Sequence, residues 1–344
     1  MSKMKYSAAV MGHRKRTRRF VIATTVLIAM TIILSSLILI LGNTIYPLET
    51  ILRVISGEDI EGATFAIRTL KLPRMLAGVL IGMAFGIAGN TFQTVLRNPL
   101  ASPDIIGVTA GSSAAAVYGI LVLGIGAQAI SFGALLSGLT VTMLIYFLSA
   151  RGRFSGGKLI LIGIGVQAML SSVISYLLLR ASQYDVASAM RWLSGSLNGI
   201  RLSSISLLPG VVIVFGLIII LLGRALKILE LGEESAVSLG LRTNHVRVML
   251  IVSAVVLIAF GTSVTGPIAF VSFLSGPIAS KVAGRGAPGE IPSALVGAVL
   301  VLSADLIGQF ALPVRLPVGV ITGIIGAPYL LYLLIDMNRK GAAS

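Results

Sequence analysis

The stretch GRFSGGKL (Gly152–Leu159) has the spacing of a phosphate-binding loop, G-x-x-x-x-G-K. Such a loop needs Ser or Thr after the lysine to hold Mg²⁺, and it joins a strand to a helix. Here Leu159 takes the metal position and apolar, helix-length stretches lie on both sides. The stretch reads as a short basic connection, and the chain hydrolyses no ATP itself. Its two histidines, His13 and His245, lie far apart and outside the apolar stretches, and neither H-E-x-x-H nor G-x-S-x-G occurs. With no cysteine either, the sequence offers no catalytic residue, no metal site and no cofactor site. One acid remains at depth in an apolar stretch, Asp305, with Asn90, Gln93, Gln167 and Gln309 as uncharged companions. Such an acid is a candidate for ion coupling, so a secondary transporter centred on Asp305 is one functional reading.

The elements that must position these groups are hydrophobic almost throughout. The chain has 344 residues, 56% of them hydrophobic and 11% charged, with a mean hydropathy of +0.99. Soluble domains average about 25% charged residues, so the class is an all-α polytopic membrane protein. A net charge of +15 would suit nucleic acid, but seven basic residues crowd the first nineteen positions (Lys3, Lys5, Arg14, Lys15, Arg16, Arg18 and Arg19), directly before an apolar stretch. That placement is a topology signal, and no nucleic-acid partner is expected. Phe20–Leu41 is too long for a cleaved leader and should remain as the first span.

Stretches of roughly 20 apolar residues predict about ten transmembrane helices, at 20–41, 75–96, 104–123, 127–149, 159–179, 204–223, 246–264, 267–283, 291–310 and 317–336. They form one transmembrane domain over 20–337, between a basic cytoplasmic tail (1–19) and a short cytoplasmic tail (338–344). Gly and Pro interrupt 104–123, 246–264 and 267–283, which makes these the weakest spans. An even count puts both termini on one side, and cytoplasmic termini leave most of the Lys and Arg residues inside the cell membrane. The longest connection, 42–74, is too short to bury a core of its own.

Three stretches are more specific. Gly78, Gly82 and Gly86 recur every fourth residue and make a smooth helix face, suited to close packing or to helices that slide at a gate. In RNPLASPDIIGVTAGSSAA (97–115), Asn98-Pro99 stops the preceding helix; Ser102 can cap the next, with Pro103 first and Asp104 near its positive end. Arg97, Asn98 and Pro99 thus form a sharp turn at the inner face. Finally, a polar island interrupts the oily chain at ILELGEESAVSLGLRTNHVR (228–247). Gly232 precedes Glu233 and Glu234, acids suited to a helix start, Gly240 can end that helix, and Thr243 or Asn244 can cap the next span. Leu229, Leu231, Ala236, Val237, Leu239 and Leu241 supply apolar contacts. The expectation is two short inner-side helices joined at a glycine, a rigid knob that a partner can push.

These motifs resemble those of the FecCD/BtuC-type permeases, membrane subunits of ABC importers for iron chelates, haem and cobalamin. The similarity covers about 20–337. It rests on LPRMLAG (72–78), the 97–115 stretch, RWLSGSL (191–197), LGEESAVSLG (231–240), GPIAFV (266–271), Ala304-Asp305 and LPVGVITGIIGAPYLLYLL (316–334). The resemblance implies a BtuC-like permease fold and two permease subunits around a central pathway. It also implies cytoplasmic ATPase subunits docked on a coupling segment at about 229–244, and an extracytoplasmic solute-binding protein. ATPase coupling then falls to Gly232, Glu233, Glu234, Ala236, Leu239 and Gly240. Docking of the binding protein falls to Lys71 and Arg74, with Trp192 as an interfacial anchor. Gly82, Gly86, Gln93 and Asp305 are candidates for the pathway or its gate.

The sequence departs from that family pattern in three places. SFLSGPIASK (272–281) lacks the usual Pro-His and Arg after GPIAFV, Gln309 replaces an Arg after Ala304-Asp305, and Arg315 replaces an acid before LPVG. The Gly276-Pro277 variant resembles subunits of ferric-siderophore importers that pair with a second, non-identical permease, which favours a heterodimer and iron chelates over cobalamin. The expected cargo is a ferric siderophore, with haem or cobalamin as the alternative. A membrane scaffold would account for the polar knob but not for the glycine-smoothed spans.

Overall fold

The structure, a computed structural model, describes residues 2–42, 44–150, 156–284 and 288–341. Gly152–Ser155 of the loop-like stretch, Arg285 and the last three residues of the C-terminal tail lie outside the described residues. The chain folds as α-helices joined by short turns. Helix α1 (Ser2–Ile40) leads to the short α2 (Leu48–Ile55), and a π-helical turn at Phe65–Lys71 runs directly into α3 (Leu72–Val95). Then come α4 (Val108–Tyr118), α5 (Ala127–Ala150), α6 (Gly156–Arg180), α7 (Gln183–Leu193) and α8 (Leu208–Leu221). Two short helices, α9 (Gly223–Glu230) and α10 (Glu233–Ser238), precede α11 (Thr243–Thr265), α12 (Val271–Ala283), α13 (Glu290–Phe310) and α14 (Val318–Gly341).

Among the described residues eight helices are long and apolar enough to cross a membrane, rather than the ten expected. The stretch 104–123 gives a shorter apolar helix, because Gly107 (φ +78°) delays its start and Gly124 (φ +58°) ends it. The stretch 267–283 gives the 13-residue α12, whereas α11 runs through its internal glycine unbroken for 23 residues. Helix α3 starts early: with the π-helical turn it forms one 31-residue rod, Phe65–Val95. The 42–74 connection also packs more than expected, since Leu39, Ile51, Val54, Ala63 and Ile67 form a small apolar cluster over the end of α1.

Helices α3 and α13 make the most extensive pairing in the fold. The glycine stripe permits it. A methyl on Gly82 would lie 2.5 Å from the Ala298 Cα, and one on Gly86 would lie 2.1 Å from the Ser293 carbonyl oxygen. Without a Cβ the two backbones touch, and dispersion contacts replace the hydrophobic drive that lipid cannot supply. Further glycines join the ends of three motifs. Ser196 N donates to the Thr265 carbonyl (2.8 Å) and Gly319 N to the Gly195 carbonyl (3.0 Å). A methyl on Gly195, Gly266 or Gly319 would lie 2.1–2.2 Å from a neighbouring carbonyl oxygen. RWLSGSL, GPIAFV and LPVGV therefore meet as bare backbone.

From this junction residues 266–270 descend without helix. The junction lies level with Gly78, which faces Leu197; the start of α12 lies level with Gly89, where a methyl would sit 1.7 Å from the Ser272 carbonyl. Eleven helical residues rise about 16 Å, the reach of about five extended ones. The eighth expected span is thus a broken one, with Phe270 in the left-handed region (φ 65°) at the break. Irregular backbone at this depth is stable only where protein covers it, and α14 and the 194–196 turn do so.

Candidate coupling surface and conduit face

The functional candidates separate to opposite ends of the molecule. One end collects the basic end of α1, the C-termini of α3 and α12, the N-terminus of α13, and α9–α10. Arg19 donates to the carbonyls of Lys281 and Val282, and a methyl on Gly223 would lie 2.8 Å from Glu290 Oε1. The other end holds Lys71, Arg74, Asn198 and Asp305.

At the first end α3 stops at Val95, and the turn follows. Arg97 N donates to the Thr94 carbonyl (3.1 Å) and Asn98 N to the Gln93 carbonyl (2.9 Å). This is the hydrogen-bond pattern of a glycine-terminated helix, yet the left-handed position (φ 49°) is filled by Arg97. A side chain there costs roughly 1–2 kcal/mol. Asn98 Oδ1 accepts from Leu100 N (2.9 Å), and Pro99 completes the turn. Ser102 Oγ accepts from Asp104 N, as expected of a cap, but what it starts is a single 3₁₀ turn, Pro103–Ile106.

The polar island forms its two helices. Gly232 (φ +107°) separates α9 from α10, Glu233 and Glu234 open α10, and Gly240 (φ +80°) follows its last turn. The expected Thr243 or Asn244 cap is corrected: α11 begins at Thr243, behind Arg242, with no side-chain cap. Ala236 is fully buried and Leu229 nearly so, which seats the knob on the bundle. Leu231, Val237 and Leu239 point outward, between 56% and 65% exposed, beside Glu234. Exposed Val237 on α10, with exposed Leu231 before it and Leu239 after it, gives the knob an outward apolar surface of the kind that marks docking sites. Glu233 instead faces back, accepting from Arg247 Nη2 at 3.3 Å, while Arg247 Nη1 donates to Asn244 Oδ1. A cavity of about 90 Å³ lies between Arg97, Glu233 and Arg247.

At the opposite end Arg74 and Asp305 make a two-pronged pair, Nε to Oδ2 at 2.8 Å and Nη2 to Oδ1 at 2.7 Å. Gln309 Nε2 adds a third donor at 2.7 Å, and Arg74 Nη1 reaches Asn198 Oδ1 at 3.5 Å. Asp305 is 2% exposed. Its charge is balanced within the chain, so the one intramembrane acid has a structural partner. Lys71 Nζ donates to the Leu39 and Ile40 carbonyls and lies 4.8 Å from the Tyr46 ring centre, closing the C-terminal end of α1.

Nor do the other pathway candidates open onto a space. Gly82 and Gly86 are spent on α13, and Gln93 Nε2 donates to the Phe273 carbonyl (2.9 Å) inside the bundle. Gln167 is different. It lies near the middle of α6, is exposed, and makes no hydrogen bond among the described residues. On the same helix Ser171, Ser172 and Ser175 are exposed too, and Ser172 and Ser175 bond back to the carbonyls four residues earlier. Hydrocarbon would leave the Gln167 amide unsatisfied at a cost of roughly 2–7 kcal/mol. This face of α6 therefore belongs against water or protein. Fourfold and eightfold spacing of Gln167, Ser171 and Ser175 was the signal for it in the sequence.

Residues 27–336 match the FecCD transport family. The chain belongs to that family. This permease is 34% identical over 325 residues to the ferric enterobactin transport system permease protein FepG of Escherichia coli, covering 94% of this chain and 98% of that protein. It is 33% identical over 330 residues to the Fe(3+)-citrate import system permease protein YfmE of Bacillus subtilis, covering 95% and 98%. A solved structure of a metal-chelate type ABC transporter, in an inward-facing conformation, superposes with a TM-score of 0.79 at 25% identity, covering 92% of this chain and 99% of that one. The permease is a transport subunit and not an enzyme; the Asp305-centred ion-driven transporter gives way to an ABC-transporter permease.

Proposed function

We propose that this permease carries a ferric siderophore across the cell membrane, powered by ATPase subunits that grip α10 from the cytoplasm. The observation that carries the reading is the outward Leu231, Val237 and Leu239 on and beside a helix seated by Ala236. The knob is rigidly backed yet presents apolar surface, so a push on it moves the spans behind it. Gly232, Glu233, Glu234 and Gly240 shape its ends. The relatives named for ferric enterobactin and ferric citrate support an iron chelate as the cargo.

Both termini are cytoplasmic in this reading, on the side of the basic cluster at 14–19. The conduit forms between this chain and a second, non-identical permease subunit, with the Gln167 face of α6 against it. A metal already wrapped in its chelator needs no protein ligands, only hydrogen bonds and smooth surface. On the outer face an extracytoplasmic binding protein delivers the chelate. Lys71 and Arg74 there hold α1 and α13 in place and shape the docking rim, while the exposed Arg201 adds an attractive charge for acids on the partner.

The test is uptake in proteoliposomes holding this permease, its partner permease and the ATPase subunit, with loaded binding protein outside and ATP inside. Ferric siderophores, haem and cobalamin are offered in turn. Uptake of a siderophore that needs ATP and is lost on charge reversal at Glu233 or Glu234, or on added bulk at Gly240, supports the reading. Uptake driven by a proton gradient without ATP sinks it.

A further inference from the structure

Arg97 is the unexplained residue of the inner end. Its backbone occupies a conformation that glycine fills at far lower cost, at a position whose two capping hydrogen bonds come from main chain alone. Nothing in the turn requires an arginine, and its side chain makes no hydrogen bond or ion pair among the described residues. The side chain is exposed, and its guanidinium lies beside the entry to α10: Nη1 would lie 3.3 Å from a methyl on Gly232. There it forms one wall of the 90 Å³ cavity, with Arg247 behind and Glu233 beside. Arg247 is 9% exposed and already holds Glu233 at 3.3 Å. The cavity lining thus carries two guanidinium groups and one carboxylate. The cavity's volume is several times the roughly 10–15 Å³ that one water needs, room for the tip of an acidic side chain.

We propose that this cavity receives a single Asp or Glu side chain of the docked ATPase subunit, bridged between Arg97 and Arg247. The proposal rests on the reading of α10 as the ATPase-docking knob. Its consequence is mechanical. An acid seated there ties the partner to the C-terminus of α3 as well as to α10. Because α3 packs along α13, the push then enters the paired helices at the centre of the bundle. A planar, five-donor guanidinium can take an incoming carboxylate through two parallel hydrogen bonds.

The experiment uses the detergent-solubilised pair of permease subunits and measures affinity for the purified ATPase subunit across a salt series. Arg97→Gly should keep or raise the thermal stability of the permease, because glycine suits the backbone. It should weaken ATPase binding about ten- to thirty-fold at low salt and flatten the salt dependence. Arg97→Lys should fall between, keeping charge but losing the two-pronged geometry. Alanine at each surface acid of the ATPase, measured with and without Arg97→Gly, should reveal one acid whose loss is not additive with that of Arg97. Unchanged affinity and salt slope in Arg97→Gly overturn the proposal, as does additivity at every acid. It is equally overturned if Arg97→Gly leaves ATPase binding intact and instead abolishes a preference for vesicles containing anionic lipid. Wild-type permease that fails to hold the ATPase at any salt concentration refutes the docking reading itself, a separate result.

Discussion

Asp305 and Arg74 show how one residue's meaning depends on its neighbour. An acid in a span invites an ion-coupling role, but two guanidinium nitrogens and the Gln309 amide at 2.7–2.8 Å already saturate one face of this carboxylate. Removing one partner of a buried pair costs about 3–5 kcal/mol, because the other charge is left uncompensated. Asp305→Asn should therefore lower the thermal midpoint of the solubilised permease by several degrees, and Arg74→Met with Asp305→Leu should recover much of the loss. A full recovery of stability with intact ATP-driven uptake in the double variant would confirm a structural pair. Gly89 makes a second case at this scale. A methyl there meets the Ser272 carbonyl at 1.7 Å, whereas Gly165 on α6 has open space around it. Gly89→Ala should cost at least 1–3 kcal/mol through overpacking, and Gly165→Ala should leave the thermal midpoint unchanged.

Among the elements, α10 and α6 are where the proposed function can be tested against packing. Leu239→Asp keeps the knob's seat at Ala236 but places charge in the apolar docking face. Pull-down should show the ATPase subunit lost while membrane insertion is normal. On α6, Gln167→Leu with Ser171→Ala and Ser175→Ala removes the polar face without touching a buried contact. Transport through the reconstituted complex should fall several-fold, with ATPase docking unchanged; undiminished transport would take this face out of the conduit. The legible elements were those with long periodic patterns. Every one of the ten apolar stretches carries helix, and the Gly232 and Gly240 boundaries of α10 were readable from residue type. The lengths of α4 and α12 were not readable: a glycine such as Gly107 can continue a helix or turn left-handed, and Phe270 takes a left-handed conformation that a non-glycine residue adopts only when its surroundings hold it.

For the whole molecule, the absence of cysteine makes topology directly measurable. Single cysteines at Ser182, before α7, and at Ser238, at the end of α10, lie on exposed segments at opposite ends. In intact cells a membrane-impermeant thiol reagent should label the first and spare the second, and inverted vesicles should reverse the pattern. Labelling of both positions from one side would overturn the transmembrane arrangement. The same chain presents a broken crossing at 266–283, an unbroken rod at 65–95 and a bare-backbone junction of three motifs. At that junction and along α3 and α13 the chain packs through glycine backbone rather than through side chains.

Composition and local pattern determined the membrane class, the run of apolar helices, the basic cluster ahead of the first span and the capped knob at 232–240. These depend on forces that act within a few residues: burial periodicity, helix capping and charge near a span end. Which polar groups are spent inside the chain and which remain for a partner was decided by tertiary structure alone. Arg74 and Asp305 are 231 residues apart and Gln93 meets Phe273 across 180; no local rule pairs them. Lys71, Arg74, Gln93 and Asp305 have partners because helices distant in sequence press together, whereas Gln167 and Arg97 have none among the described residues.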